Sequence, residues 1–63
     1  MTNLKMIREE KGYSQSQLAR ASGVSLRSLQ HYEQGTKDIN KASISTVLAL
    51  ADCLEVDIRQ ILE

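Results

Sequence analysis

Arg27, Gln30, His31 and Gln34 bring four long hydrogen-bonding side chains into a short stretch of this 63-residue sequence. On a helix turning about 100° per residue, these positions share one side. Leu29 and Tyr32 fall on the other, with Leu26 and Glu33 at its edge. Such a helix could bury one face and offer the opposite one to a partner. Arginine can bond two acceptors of guanine in the major groove of DNA, and glutamine can pair with adenine. His31 could donate to guanine or to a phosphate. An ordinary solvated helix has a similar polar stripe, so the chemistry depends on the elements that present it.

Those elements read as five helices. The first runs from about Asn3 to Lys11, with Leu4 and Ile7 inward and Gly12 closing it. Ser14 opens the second, and Gln17 three residues later completes the spacing of a capping box. Leu18 and Ala19 follow, and Gly23 ends that helix after barely two turns. Val24 bridges, Ser25 caps, and Leu26 to Gln34 form the third helix up to Gly35. Two short helices joined by a tight glycine-bearing turn, over about residues 15–34, are a helix-turn-helix unit. Small Ala19 suits the close approach of two helix backbones, and Val24 plugs the angle between them. A polar loop, Thr36 to Ile39, leads to Asn40 as the expected cap of a fourth helix ending near Leu54. Ile44, Val47, Leu48, Ala51 and Leu54 have the spacing of its buried stripe. Asp57 is placed to cap a short last helix carrying Ile58, Ile61 and Leu62.

Composition narrows the function. The single cysteine, Cys53, permits no disulfide within the chain and reads as a small core residue. With one histidine besides, no four-ligand zinc site can be assembled, and no cofactor is implied. Three isolated glycines punctuate turns and cradle no phosphate. His31 and Cys53 lie on different helices, so a nucleophile pair is not expected, and the sequence offers no enzyme or small-molecule substrate site. No segment has the pattern of a signal peptide or the length of a membrane span. The cytoplasm is the expected location, and the chain reads as a self-contained single domain over 1–63. The formal net charge is zero, unlike most nucleic-acid binders. Its distribution is uneven: residues 1–35 have a surplus of two cations and residues 36–63 a surplus of two anions.

The segment SQSQLARASGVSLRSLQHYEQG resembles the phage-repressor or Cro-type helix-turn-helix of the XRE family. The resemblance rests on Ser14–Gln15, Leu18–Ala19, Gly23–Val24–Ser25 and Glu33–Gln34–Gly35. The flanks LKMIREEKG and VLALADCLEVDIRQIL extend it from Leu4 to Leu62. It implies an all-α, compact five-helix, lambda-repressor-like domain that binds double-stranded DNA. It further implies that Gln15 contacts a phosphate and that Leu26, Arg27, Ser28, Gln30 and His31 face DNA. Thr36 and Lys37 would lie in a loop touching the backbone, and Arg8 would pair with Glu33 to tie the first helix to the third.

Two positions depart from the family pattern. Leu26 stands where a polar base-reading residue is common, and suits either a thymine methyl or packing. The loop from Gly35 to Ser43 is about two residues longer than the common form, which leaves no clear phosphate role for Lys41. Leu50, Cys53, Ile58 and Ile61 exceed one narrow stripe, and suit either the core or a two-fold interface on a palindromic operator. The main reading is a sequence-specific transcriptional regulator, a repressor. Its rival is a protein-interaction module, such as an antitoxin-like partner-binding domain, which zero net charge and Leu26 favour.

Overall fold

The computed structural model describes residues 1–63 and contains helices and no strands. Five α-helices follow in order: α1 (Asn3–Glu10), α2 (Gln15–Ser22), α3 (Leu26–Gln34), α4 (Ile44–Leu54) and α5 (Ile58–Ile61). One 3₁₀ turn, Ile39–Lys41, interrupts the link from α3 to α4. No helix is long and apolar enough to cross a membrane.

Local chemistry sets the boundaries. Ser14 Oγ accepts from the Gln17 amide while Gln17 Oε1 accepts from the Ser14 amide, the reciprocal capping box read in the sequence. Ser25 Oγ accepts from the Ser28 amide and starts α3 as a simple cap, without a return bond. Gly23 and Gly35 end α2 and α3 at φ of 79° and 82°, a left-handed conformation in which a Cβ is strained. Thr2, which the sequence reading left out, caps α1 by accepting from Lys5.

The core is one cluster drawn from every helix: Leu4 and Ile7, Leu18 and Ala19, Leu29 and Tyr32, then Val47, Leu50, Ala51, Leu54 and Ile61. Complete burial of a leucine-sized side chain contributes about 1.5–3 kcal/mol. Helix α2 packs on α3 and α4, α1 on α3 and α5, and α4 on α5. Buried Ala19 has the small side chain expected between close helices, and half-buried Val24 packs against the core.

The link from α3 to α4 differs from expectation. Ser43, not Asn40, caps α4, with its Oγ accepting from the Thr46 amide. Asp38 caps the 3₁₀ turn, and that turn drives Ile39 into the core. Asn40 is occupied elsewhere. Its Nδ2 donates to the Glu63 carbonyl at 3.0 Å and its Oδ1 accepts from the Glu63 amide at 2.9 Å. The buried stripe of α4 is also rotated. Ile44 and Leu48 are 62% and 43% exposed, while Leu50, which the stripe had omitted, is fully covered. Leu50 and Ile61 complete the core, and Cys53 and Ile58 pack half-buried at its edge.

Candidate nucleic-acid interface

Helix α3 is held by its inner face and leaves its outer face open. Leu29, Tyr32 and Glu33 are buried, Gln30 and His31 half-buried, and Arg27 and Gln34 exposed. Arg27 forms no ion pair, so its guanidinium donors are unspent. The structure therefore brings Arg27, Gln30, His31 and Gln34 together along one side of a helix anchored by the other. Leu26, at the start of α3, is exposed rather than packed.

A buried ion pair fixes the helix. Arg8 Nε donates to Glu33 Oε2 at 2.7 Å, and Nη2 donates to Oε1 at 3.0 Å. This two-point fork is the geometry guanidinium and carboxylate favour. Arg8 Nη1 also donates to the Tyr13 carbonyl at 2.8 Å, reaching the link between α1 and α2. The Glu33 carboxylate holds the Arg8 guanidinium above its ordinary pKa, chiefly through these hydrogen bonds, against the opposing effect of burial. Gln15 joins the network, its Nε2 donating to Glu33 Oε1 at 3.0 Å. One carboxylate on α3 thus binds side chains from both α1 and α2. The contact engages one amide proton of Gln15 and leaves its other proton and its oxygen for a further partner.

The C-terminal end of α3 is also tied down. His31 Nδ1 lies 2.7 Å from Thr36 Oγ1, which lies 3.3 Å from the His31 carbonyl. Whichever atom receives the hydroxyl proton, Nε2 is the ring nitrogen left without a partner. Thr36 thereby acts on the helix end. Lys37 Nζ sits 5.6 Å from the centroid of the Tyr32 ring, within cation–π range. Ser28 is half-buried and turned away from the row, about 100° round the helix from Arg27. Lys41 ends the 3₁₀ turn and is exposed.

Sequence reasoning missed what Tyr32 brings besides apolar bulk. Tyr32 and Ser28, one turn apart on α3, line an open cleft of about 340 Å³ between the α2–α3 turn and the start of α4. The Tyr32-to-Ser28 spacing of four was the available signal.

Two capped helices joined by a tight turn, with the second held by its buried side and polar on its free side, are a helix-turn-helix unit for nucleic acid. The chain belongs to the helix-turn-helix family, whose model matches residues 4–61. That match supports the XRE-type resemblance and a DNA-binding regulator. No curated protein and no solved structure matches the chain.

Proposed function

We propose that this protein is a sequence-specific, double-stranded-DNA-binding transcriptional regulator that represses by occupying a promoter in the cytoplasm. The observation that carries the reading is the row Arg27, Gln30, His31 and Gln34, in which only His31 Nδ1 has a partner in the chain, on a helix whose inner face is locked by Leu29, Tyr32 and Glu33. Helix α3 enters the major groove, Arg27 and Gln30 read base edges, and His31 reads through Nε2. Leu26 meets a thymine methyl, and Ser28 faces the backbone beside the row. Gln15 donates its second amide proton to a phosphate, and Lys37 holds another, with Thr36 bracing His31. The chain acts as one domain over 1–63. Two copies bind a palindromic operator with their recognition helices about 34 Å apart, one turn of DNA.

The test is selection of bound duplexes from a randomised pool, comparing wild type with Arg27→Ala. Arg27→Ala should cost roughly 1–3 kcal/mol and relax one symmetric base position. A consensus unchanged by Arg27→Ala would refute readout through α3. A second reading, a protein-interaction module, draws on the exposure of Ile44 and Leu48 one turn apart on α4. A folded wild type that enriches no duplex would favour it.

A further inference from the structure

The cleft between the α2–α3 turn and the start of α4 has an unusual lining. Six of its residues carry hydroxyls: Ser22, Ser25, Ser28, Tyr32, Ser45 and Thr46. No charged side chain lines it. Four of the hydroxyls are engaged within the chain. Ser22 Oγ donates to the Ala19 carbonyl and accepts from the Val24 amide. Ser25 Oγ caps α3, and Ser45 and Thr46 bond to Ser43. The hydroxyls of Ser28 and Tyr32 have no partner in the chain.

Tyr32 is the informative member. Only 9% of it is exposed, so its ring is a core side chain. No sealed polar side-chain atom lacks a hydrogen bond anywhere in the molecule. The unpaired Tyr32 hydroxyl is therefore not sealed from solvent, and Tyr32 lines the cleft. A leucine or phenylalanine would fill the core here as well. The hydroxyl adds a fixed donor at the cleft, and Ser28 adds a second one turn away.

The surroundings favour an anion. Helix α4 begins at the cleft. The Thr46 amide is taken by Ser43, and helix geometry leaves the amides of Ile44 and Ser45 without an intrahelical partner. The positive end of the helix dipole adds to them. Lys37 stands over the Tyr32 ring. Donors abound, and no carboxylate lines the cleft to repel a negative group.

We infer that this cleft seats a phosphodiester of the DNA backbone, with the Tyr32 and Ser28 hydroxyls donating to its oxygens. The inference rests on the DNA-binding reading above and adds a site to it. Ser28 and Tyr32 lie about 130° round α3 from the middle of the base-reading row. When that row faces the base edges, this flank of the helix faces the wall of the groove. The cleft then fixes the depth and rotation of α3 in the groove, and it carries no sequence information itself.

The experiment compares wild type, Tyr32→Phe, Ser28→Ala and Arg27→Ala on duplexes whose phosphates are ethylated at random. Tyr32→Phe keeps the ring and removes a hydroxyl with no partner in the fold, so its melting temperature should match wild type. Its affinity should fall about 10-fold on every sequence, since a hydrogen bond to a charged group is lost. Base preference and salt dependence should stay unchanged, because no cation is removed. One phosphate position per half-site, sensitive to ethylation in wild type, should become insensitive in Tyr32→Phe. Wild-type affinity and an unaltered ethylation pattern in Tyr32→Phe would overturn the inference while leaving the DNA reading intact. A changed base preference would overturn it too, by making Tyr32 a base contact. Inorganic phosphate shifting the Ser45 and Tyr32 NMR signals, with no ethylation-sensitive position beside them, would make the site one for free anion. Failure of wild type to bind any duplex would remove both readings, and the loss of all Arg27→Ala effect would identify that case.

Discussion

Replacing Arg8 by methionine removes the cation from a carboxylate that has almost no access to water. The side chains of Arg8 and Glu33 are 9% and 2% exposed. The change deletes two charge-assisted bonds to Glu33 and one to the Tyr13 carbonyl. Glu33 would keep one side-chain donor, Gln15. Each hydrogen bond to a charged group is worth about 1.5–3 kcal/mol, so losing the two to Glu33 should cost about 3–6 kcal/mol. Breaking a buried pair by removing one partner gives a similar figure, about 3–5 kcal/mol. A chain of this length has roughly 3–9 kcal/mol of stability in total. Arg8→Met should therefore leave much of the protein unfolded at 25 °C in urea titrations followed by circular dichroism. The double change Arg8→Met with Glu33→Met buries no charge, and it should recover most of the loss. The reasoning fails if the single change costs under about 1 kcal/mol, or if the double change is as damaging as the single one.

Asn40→Ala should lower the melting temperature by about 4–8 °C, the equivalent of roughly 1 kcal/mol in so small a domain. It should also abolish hydrogen-exchange protection of the Glu63 amide, and an unchanged amide would show that the clamp is idle. Arg59 holds the Asp57 carboxyl below its ordinary value of 3.8 through a side-chain hydrogen bond. A carboxyl depressed in the folded state stabilises fully above its unfolded pKa and loses that effect as pH falls through the folded one. Asp57→Asn should thus melt slightly below wild type at pH 7 and level with it well below pH 3.8, and a gap that persisted in acid would point to the cap instead. With Arg27 and Lys37 as the cations at the interface, log affinity against log salt should have a slope of about −2 per copy, flattened by about one in Lys37→Ala. A slope steeper than about −5 would mean that other cations, such as Lys5 and Lys11, reach the DNA.

The features legible in the sequence are those decided within a few residues. Ser14 with Gln17, Ser25 before Leu26, and Gly23 and Gly35 each set a helix end through contacts no more than four positions apart. The Arg8–Glu33 pair spans 25 positions, and only the family resemblance pointed to it. Helix α4 shows where local reasoning stops. Ile44 and Leu48 form one apolar stripe, and Val47, Leu50, Ala51 and Leu54 form an overlapping one. Periodicity cannot choose between them, because the choice depends on which side α2 and α5 cover. Asn40 misled for a related reason. Asparagine is a good cap, but its amide found the Glu63 backbone, 23 positions away, and nothing near Asn40 in sequence encodes that. At the interface the row on α3 was legible from its spacing. The Tyr32 hydroxyl was not, because a residue assigned to the core is counted by its ring.

On the proposed reading, helix α3 has two duties that compete for rotation, and Glu33 reconciles them. A turn of one residue position, about 100°, would carry Gln30 into the place of Leu29 in the core and Leu29 into the place of Ser28. Apolar packing of Leu29 and Tyr32 resists such a turn, but grease tolerates small rotations that a base-reading arginine would not. The fork from Arg8 tolerates less, because two parallel bonds of 2.7 and 3.0 Å fix direction as well as distance. Gln15 adds a third bond to the same carboxylate from the helix that would grip the phosphate. On the proposed reading, the backbone-contacting helix and the base-reading helix therefore share one anchor. On this account, a well-packed apolar replacement of the pair could keep the stability and still blur the readout. Stability and base preference should then separate in the Arg8→Met, Glu33→Met protein, which a mere packing role for the pair would not produce.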